Sequence, residues 1–205
     1  RHITGDGYRV VTVPDPPRDR APATDRVYGA EVRDWHAARA RAYARAVVEH
    51  TRPGNTVGFL VWGDPSLYDS TIRVVEQIRT VGGVDLDYRV IPGVSSVQLL
   101  AARHRLVLNR IGGPVTVTTG RRLAADVASG ADNLVVMLDG GLACADLDGD
   151  AWDLWWGANL GTEHEELVAG RLGEVLDAVR AARERARAAR GWVMDTYLLR
   201  RAAAD

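Results

Sequence analysis

Two short stretches bring reactive side chains together directly after apolar runs. Val61-Trp62-Gly63-Asp64-Pro65-Ser66-Leu67-Tyr68-Asp69-Ser70-Thr71 offers carboxylates, a phenol and hydroxyls after a glycine that lets a ligand approach the backbone. Ile91-Pro92-Gly93-Val94-Ser95-Ser96 closes the next apolar run in the same way and opens a helix whose first amides favour an anionic partner. Taken singly, each reads as a tight strand-to-helix turn with a capping Asp or Ser. On consecutive strands of one α/β sheet they favour a shared ligand, because such ligands sit beyond the carboxyl ends of the strands.

The elements that must position these loops follow from periodicity. Tyr8–Pro14 reads as a strand, and a long amphipathic helix follows, with Tyr28, Val32, Trp35, Ala42, Ala46 and Val47 at near-helical spacing. Thr56–Trp62 reads as a central strand buried on both faces, Asp69–Val81 as a helix capped by Asp69 or Ser70, Leu86–Ile91 as a strand and Ser95–Arg103 as a helix. This alternation predicts parallel α/β architecture. The pattern resets around Asn109–Pro114, giving lobes 1–111 and 112–205. The second carries strands at Val115–Thr119 and Leu134–Leu138 around a helix at Leu123–Ala128. A hairpin at Leu154–Leu160 and Glu165–Leu172 follows, then a helix at Gly173–Arg190 with Val175, Leu176 and Val179 on one stripe, and a strand at Gly191–Leu199.

Composition narrows the function classes. All 26 strongly basic residues are Arg, a side chain that grips carboxylates in a planar, bidentate way, and they are balanced by 27 acidic residues. The Arg-rich segment Arg180–Arg190 is the one feature that suggests a nucleic-acid module. It includes Glu184 and no aromatic residue, and the net charge of −1 makes a poor electrostatic footprint for that partner. The single Cys144 excludes an internal disulfide and points to a reducing compartment such as the cytoplasm. No apolar run approaches the roughly 20 residues that span a bilayer. The five His residues are scattered and Cys144 has no Cys partner at ligand spacing, so no metal is expected.

FLVWGDPSLYDST at Phe59–Thr71 and IPGVSSVQLLAARHRLVLNRIGGPVTVTTGRRL at Ile91–Leu123 resemble the tetrapyrrole methylase family, the class III methyltransferases dependent on S-adenosylmethionine (SAM). VVMLDG at Val135–Gly140, WWGANLG at Trp155–Gly161 and GWVMDTYLLRR at Gly191–Arg201 extend the likeness, in collinear order, over nearly the whole chain. The resemblance implies a two-lobed α/β fold, with a largely parallel first sheet, a mixed second sheet and the cofactor in the cleft between lobes. A homodimer is implied as well. The family opens with a strand and a Gly-rich loop for which Arg1–Gly7 offers no counterpart, so that part of the first lobe is expected to be missing.

Carried over by motif, Gly63, Asp64, Leu67, Ser70, Thr71, Ser95 and Ser96 would line the cofactor site. From the second lobe, Met137 and Leu138 would pack against SAM, and Ala158 and Gly170 would approach the adenine. The implied acceptor is precorrin-5, methylated at C-1 with loss of its acetyl group as acetate. The hydrolytic half needs a base and a donor, for which Asp64 or His104 and Tyr68 are the candidates. Arg103, Arg121 and Arg122, within a wider cluster that includes Arg105 and Arg110, are candidates for the carboxylate arms of the tetrapyrrole. Trp152, Trp155 and Trp156 could wall its pocket, although packing against the terminal strand is the simpler role. Another corrin-precursor or uroporphyrinogen methylase, or a non-catalytic remnant of the fold, are the alternatives.

Overall fold

The computed structural model describes residues 7–17, 25–81 and 83–203. The chain divides into two compact units, Arg1–Gly93 and Val94–Asp205.

The first unit is built on two helices, α1 (Asp25–His50) and α2 (Thr71–Val81). Ala40 and Ala44 of α1 meet Val74 and Ile78 of α2 in a small core, against which Tyr43, Phe59, Val84 and Leu86 pack. The carboxylate of Asp69 accepts the Thr71 amide at 2.6 Å and so caps α2, while the Ser70 hydroxyl accepts from Arg39 at 3.1 Å. Arg39 also pairs with Asp15 at 3.0 Å, and its guanidinium lies over the Trp35 and Tyr43 rings.

The three strands expected in this unit do not form ladders among the described residues. Tyr8–Pro14 runs beside α1 instead, since Arg9 donates to the His50 carbonyl and the Trp35 indole donates to the Pro16 carbonyl. Thr56–Trp62 is extended but not buried on both faces. Phe59 and Val61 are half-buried, whereas Val57, Leu60 and Trp62 point to solvent, with Leu60 86% exposed. Leu86–Ile91 behaves alike, Leu86 facing the core and Ile91 standing outside. An apolar run reports what a segment would bury, and a ladder needs a neighbouring backbone as well.

The second unit holds a five-stranded mixed sheet. Its strands are β1 (Thr116–Thr119), β2 (Asn133–Met137), β3 (Trp152–Ala158), β4 (Glu166–Arg171) and β5 (Asp195–Arg201), in the order β1-β2-β5-β3-β4. β1 and β2 are parallel, β5 is antiparallel to both β2 and β3, and β3 and β4 form the expected hairpin. The helices are α3 (Ser96–His104), α4 (Gly120–Ala128) and α5 (Leu172–Arg190), with a 3₁₀ turn at Ala143–Asp146. All five strands lie within a few residues of the expected positions.

The core joins Leu123 of α4, Leu134 and Val136 of β2, Leu154 and Trp156 of β3, Val179 and Ala182 of α5, and Tyr197 and Leu199 of β5. Trp152 and Trp156 are buried in it, so packing is their role. The division at Gly93 falls earlier than the expected boundary at 111/112, because α3 belongs to this sheet. Leu100 is fully buried, and its Cδ1 would lie 3.1 Å from a Cβ placed on Gly157 of β3.

Candidate functional site

In the first unit the two loops singled out above are clipped together by one carboxylate. Asp64 Oδ2 accepts the Gly93 amide at 2.8 Å, and Oδ1 accepts the Ser66 amide at 2.9 Å and the Ser66 hydroxyl. The Ser66 hydroxyl, then the amides of Gly93 and Ser66, hold the acid below the usual carboxylate range. The backbones also meet, since a Cβ on Gly93 would lie 2.2 Å from the Gly63 carbonyl oxygen. Gly63 has φ 83°, and Tyr68 holds φ 51° while remaining largely exposed. A left-handed non-glycine residue costs ~1–3 kcal/mol and tends to mark functional segments. The Asp64 amide region closes as a turn through Leu67, whose amide reaches the Asp64 carbonyl at 3.5 Å.

Beyond Gly93, Ser95 is the N-cap of α3. Its hydroxyl accepts the Val97 amide at 3.2 Å, and the Gln98 side chain accepts the Ser95 amide at 3.0 Å, completing a capping box. This commits Ser95 to the helix, while Ser96 is half-buried in the first turn.

In the second unit, β1, β2 and β3 run in one direction, so their carboxyl ends share one edge of the sheet. Met137 pairs with Thr119 on one side and Thr196 on the other, and Ala158 pairs with Asp195. Met137, Leu138, Ala158 and the Arg121–Arg122 turn of α4 are therefore at the same end. Leu138 turns outward, 63% exposed with φ 53°, whereas Ala158 is fully buried and can offer a ligand only its backbone. Gly170 does not join them. The register places it opposite Leu154, four residues back from Ala158 and roughly 13 Å along the strand. Its φ of 151° answers to α5, because a Cβ there would lie 2.6 Å from Val175 Cγ1.

His104 ends α3 half-buried, with Nε2 3.0 Å from the Trp156 carbonyl oxygen. A carbonyl only accepts, so Nε2 carries the proton and a neutral ring keeps its lone pair at Nδ1. Arg103 pairs with Glu165 at 2.7 Å, and Glu165 also accepts the Gly161 amide, which ties α3 to the β3–β4 turn. Arg122 pairs with Asp126 one turn along α4, while Arg110 is absorbed by Asp132 and the Arg201 carbonyl.

A buried polar group outside the motif-derived candidates lies behind Leu138. Asp139 accepts from the Gly141 amide at 3.1 Å, the Ala143 amide at 2.7 Å and the Tyr197 hydroxyl at 2.5 Å. Arg183 donates to the Asp139 carbonyl at 2.8 Å and pairs with Asp195 at 3.0 Å, and Asp195 accepts the Trp156 indole N–H at 3.2 Å. Burial raises the Asp195 carboxyl, with Arg183 opposing, and pushes the neighbouring Cys144 thiol up to about 11. Two signals were available: an Asp in the apolar context of VVMLDG, and Arg183 falling on the Val179–Ala186 stripe of α5.

The second unit is an α/β sheet with Met137, Leu138 and Ala158 at one end of its strands, and in the first unit the Gly63-Asp64 and Gly93 loops are clipped together. Residues 8–176 match the family of Tetrapyrrole (Corrin/Porphyrin) Methylases. A Sinorhizobium relative named precorrin-6A synthase (deacetylating) is 43% identical over 203 residues, 99% of this chain and 77% of the relative. Among solved structures, the cobalamin-synthesis-related protein CobF of Corynebacterium diphtheriae is 46% identical, with a TM-score of 0.76 over 84% of this chain and 72% of that one. The cobalt precorrin-4 methyltransferase CbiF shares the fold at 18% identity and a TM-score of 0.60, over 77% of this chain and 69% of that one. The chain belongs to the tetrapyrrole methylase family.

Proposed function

We propose that this chain transfers a methyl group from SAM to C-1 of precorrin-5 and releases the acetyl group as acetate, giving precorrin-6A and S-adenosylhomocysteine. The observation that carries this reading is the 43% identity with the relative of that name across 99% of the chain. The residues present suit the cofactor. Leu138 offers exposed apolar surface held in an uncommon backbone conformation, and Asp64 stays ionised to accept hydrogen bonds. Gly63, Asp64, Leu67, Ser70, Thr71, Ser95 and Ser96 would hold it from one side of the sequence, and Met137, Leu138 and the Ala158 backbone from the other. The Ser70 and Ser95 hydroxyls already have partners, so their share is positional.

What the cofactor supplies when bound is an electrophilic methyl group. The protein must align that group with the acceptor carbon and keep water away from it. In the deacetylation, water gives a proton to the base and adds to the acetyl carbonyl; the bond from C-1 to the acetyl carbon breaks, acetate leaves, and the electron pair stays on C-1, the carbon that is methylated. His104 suits the water-activating role through Nδ1, with Nε2 fixed on the Trp156 carbonyl. Asp64 is a weaker base, because its hydrogen bonds stabilise the ionised form. Tyr68, exposed at the first loop, would donate to the developing charge on the acetyl oxygen. Arg121, Arg122 and Arg103 would meet acceptor carboxylates, Arg103 while paired with Glu165.

The reading is tested with SAM and precorrin-5, by product mass and acetate release. Methylation with stoichiometric acetate supports it, and methylation without acetate would assign a different corrin-precursor methylase. His104→Gln should lower acetate release by ~100-fold or more while S-adenosylhomocysteine affinity holds; unchanged release removes His104 from the role. Assembly as a cytoplasmic homodimer belongs to the same reading and rests on the family resemblance, with sedimentation as its test.

A further inference from the structure

Leu138 combines two uncommon properties, an apolar side chain 63% exposed and a left-handed backbone at φ 53°. Leu142, four residues on, is also left-handed at φ 56°. Such a loop persists only where its surroundings over-determine it. The surroundings here are buried side chains from two other elements and a close-packed glycine from a third. Tyr197 of β5 is fully buried, and its hydroxyl meets the Asp139 carboxylate, which in turn gathers the Gly141 and Ala143 amides. Arg183 of α5 holds the Asp139 carbonyl and is itself fixed by Asp195. Gly120 opens α4 against the same carboxylate, and a Cβ there would lie 2.4 Å from Asp139 Oδ1. None of these groups reaches the surface, yet together they fix a residue, Leu138, that does.

We infer that Asp139, Tyr197 and Arg183 are positioning residues that hold Leu138 outward as a pre-formed apolar contact for the thioether end of an adenosyl ligand. The inference rests on the reading of Leu138 as a cofactor contact, and the test separates the two. Two stretches, VVMLDG and DTYLLRR, meet in this brace through Asp139 and Tyr197. The arrangement explains why an Asp and a Tyr occupy otherwise apolar, buried positions. A ligand that meets Leu138 already in place does not bear the cost of ordering it, which is the general gain from pre-organisation.

The experiment is calorimetric titration with S-adenosylhomocysteine of the full chain and of Leu138→Ala, Tyr197→Phe, Asp139→Asn and Trp152→Leu. Amide hydrogen exchange at Gly141 and Ala143 is followed in the same proteins. Trp152 is buried six residues from Ala158 along β3, roughly 20 Å away, so its variant controls for loss of stability alone. Tyr197→Phe removes one hydrogen bond to a charged acceptor, so both exchange acceleration and loss of affinity of about ten-fold are expected. Asp139→Asn should do more, and Trp152→Leu should bind as the unaltered chain does. Unchanged exchange at Gly141 and Ala143 in Tyr197→Phe would overturn the inference whether or not ligand binds. Equal weakening by Trp152→Leu would overturn it too. If Leu138→Ala weakens binding and Tyr197→Phe does not, the brace fails while the cofactor reading stands; if Leu138→Ala binds normally, the cofactor reading of Leu138 fails and takes the inference with it.

Discussion

The Asp64 carboxylate stitches the two ligand-type loops of the first unit through the Gly93 amide, and its depressed acidity makes that stitch dependent on pH. For a carboxyl whose folded value lies below its ordinary 3.8, the contribution is fully present above 3.8 and is lost as pH falls through the folded value. The Gly93 amide proton should therefore titrate with a midpoint below 3.8 in an NMR pH series, and the transition should vanish in Asp64→Asn. A midpoint at or above 3.8 would contradict the assignment. Gly93 itself has no room for a methyl group against the Gly63 carbonyl, so Gly93→Ala should cost ~1–3 kcal/mol in denaturant unfolding. The loop that carries Asp64 was legible in the sequence as a turn with a carboxylate, but the carboxylate's committed lone pairs were not. The spacing from Asp64 to Gly93 does not reveal that the two loops touch.

Between elements, α5 and β5 share a buried ion pair. Arg183 and Asp195 are both nearly inaccessible, with side chains 10% and 5% exposed. Arg183→Ala would leave the carboxylate buried without its partner and should cost ~3–5 kcal/mol in unfolding free energy. A substitution at the exposed Arg180 of the same helix should cost less than ~1 kcal/mol, and similar losses at both positions would refute the distinction. Helix α5 and the second-unit strands were legible because their apolar spacing is also what they bury: Val179 of α5 and Leu134 and Val136 of β2 are fully enclosed. Helix α1, by contrast, buries His36, Ala40 and Ala44 rather than its expected stripe. The strands expected at Thr56–Trp62 and Leu86–Ile91 show the limit of that signal. Phe59 and Leu86 do face the first unit's core, but pairing is a property of two backbones, and spacing along one says nothing of the other. Arg183 shows the opposite limit, since in an Arg-rich helix a buried guanidinium looks like its solvated neighbours.

At the scale of the molecule, the two units differ in how much backbone they protect. The second encloses a continuous core under a five-stranded sheet, whereas the first leaves exposed chain without ladder pairing around Arg89. Among the described residues, limited trypsin digestion should cut early after Arg89 and leave a fragment beginning at Val90, read by mass spectrometry; earlier cleavage within residues 116–201 would argue otherwise. The sheet order adds a constraint on how the protein can be made. β5 lies between β2 and β3, although it is the last of the five strands to be synthesised. A ribosome that has finished β1 to β4 has produced two separate halves of a sheet with an open slot between them. Neither half can close until residue 201 has cleared the exit tunnel. Nascent chains halted before Asp195 should bind chaperones far more than chains released beyond Arg201, and a nonsense codon at Asp195 removes the centre of the sheet rather than its edge.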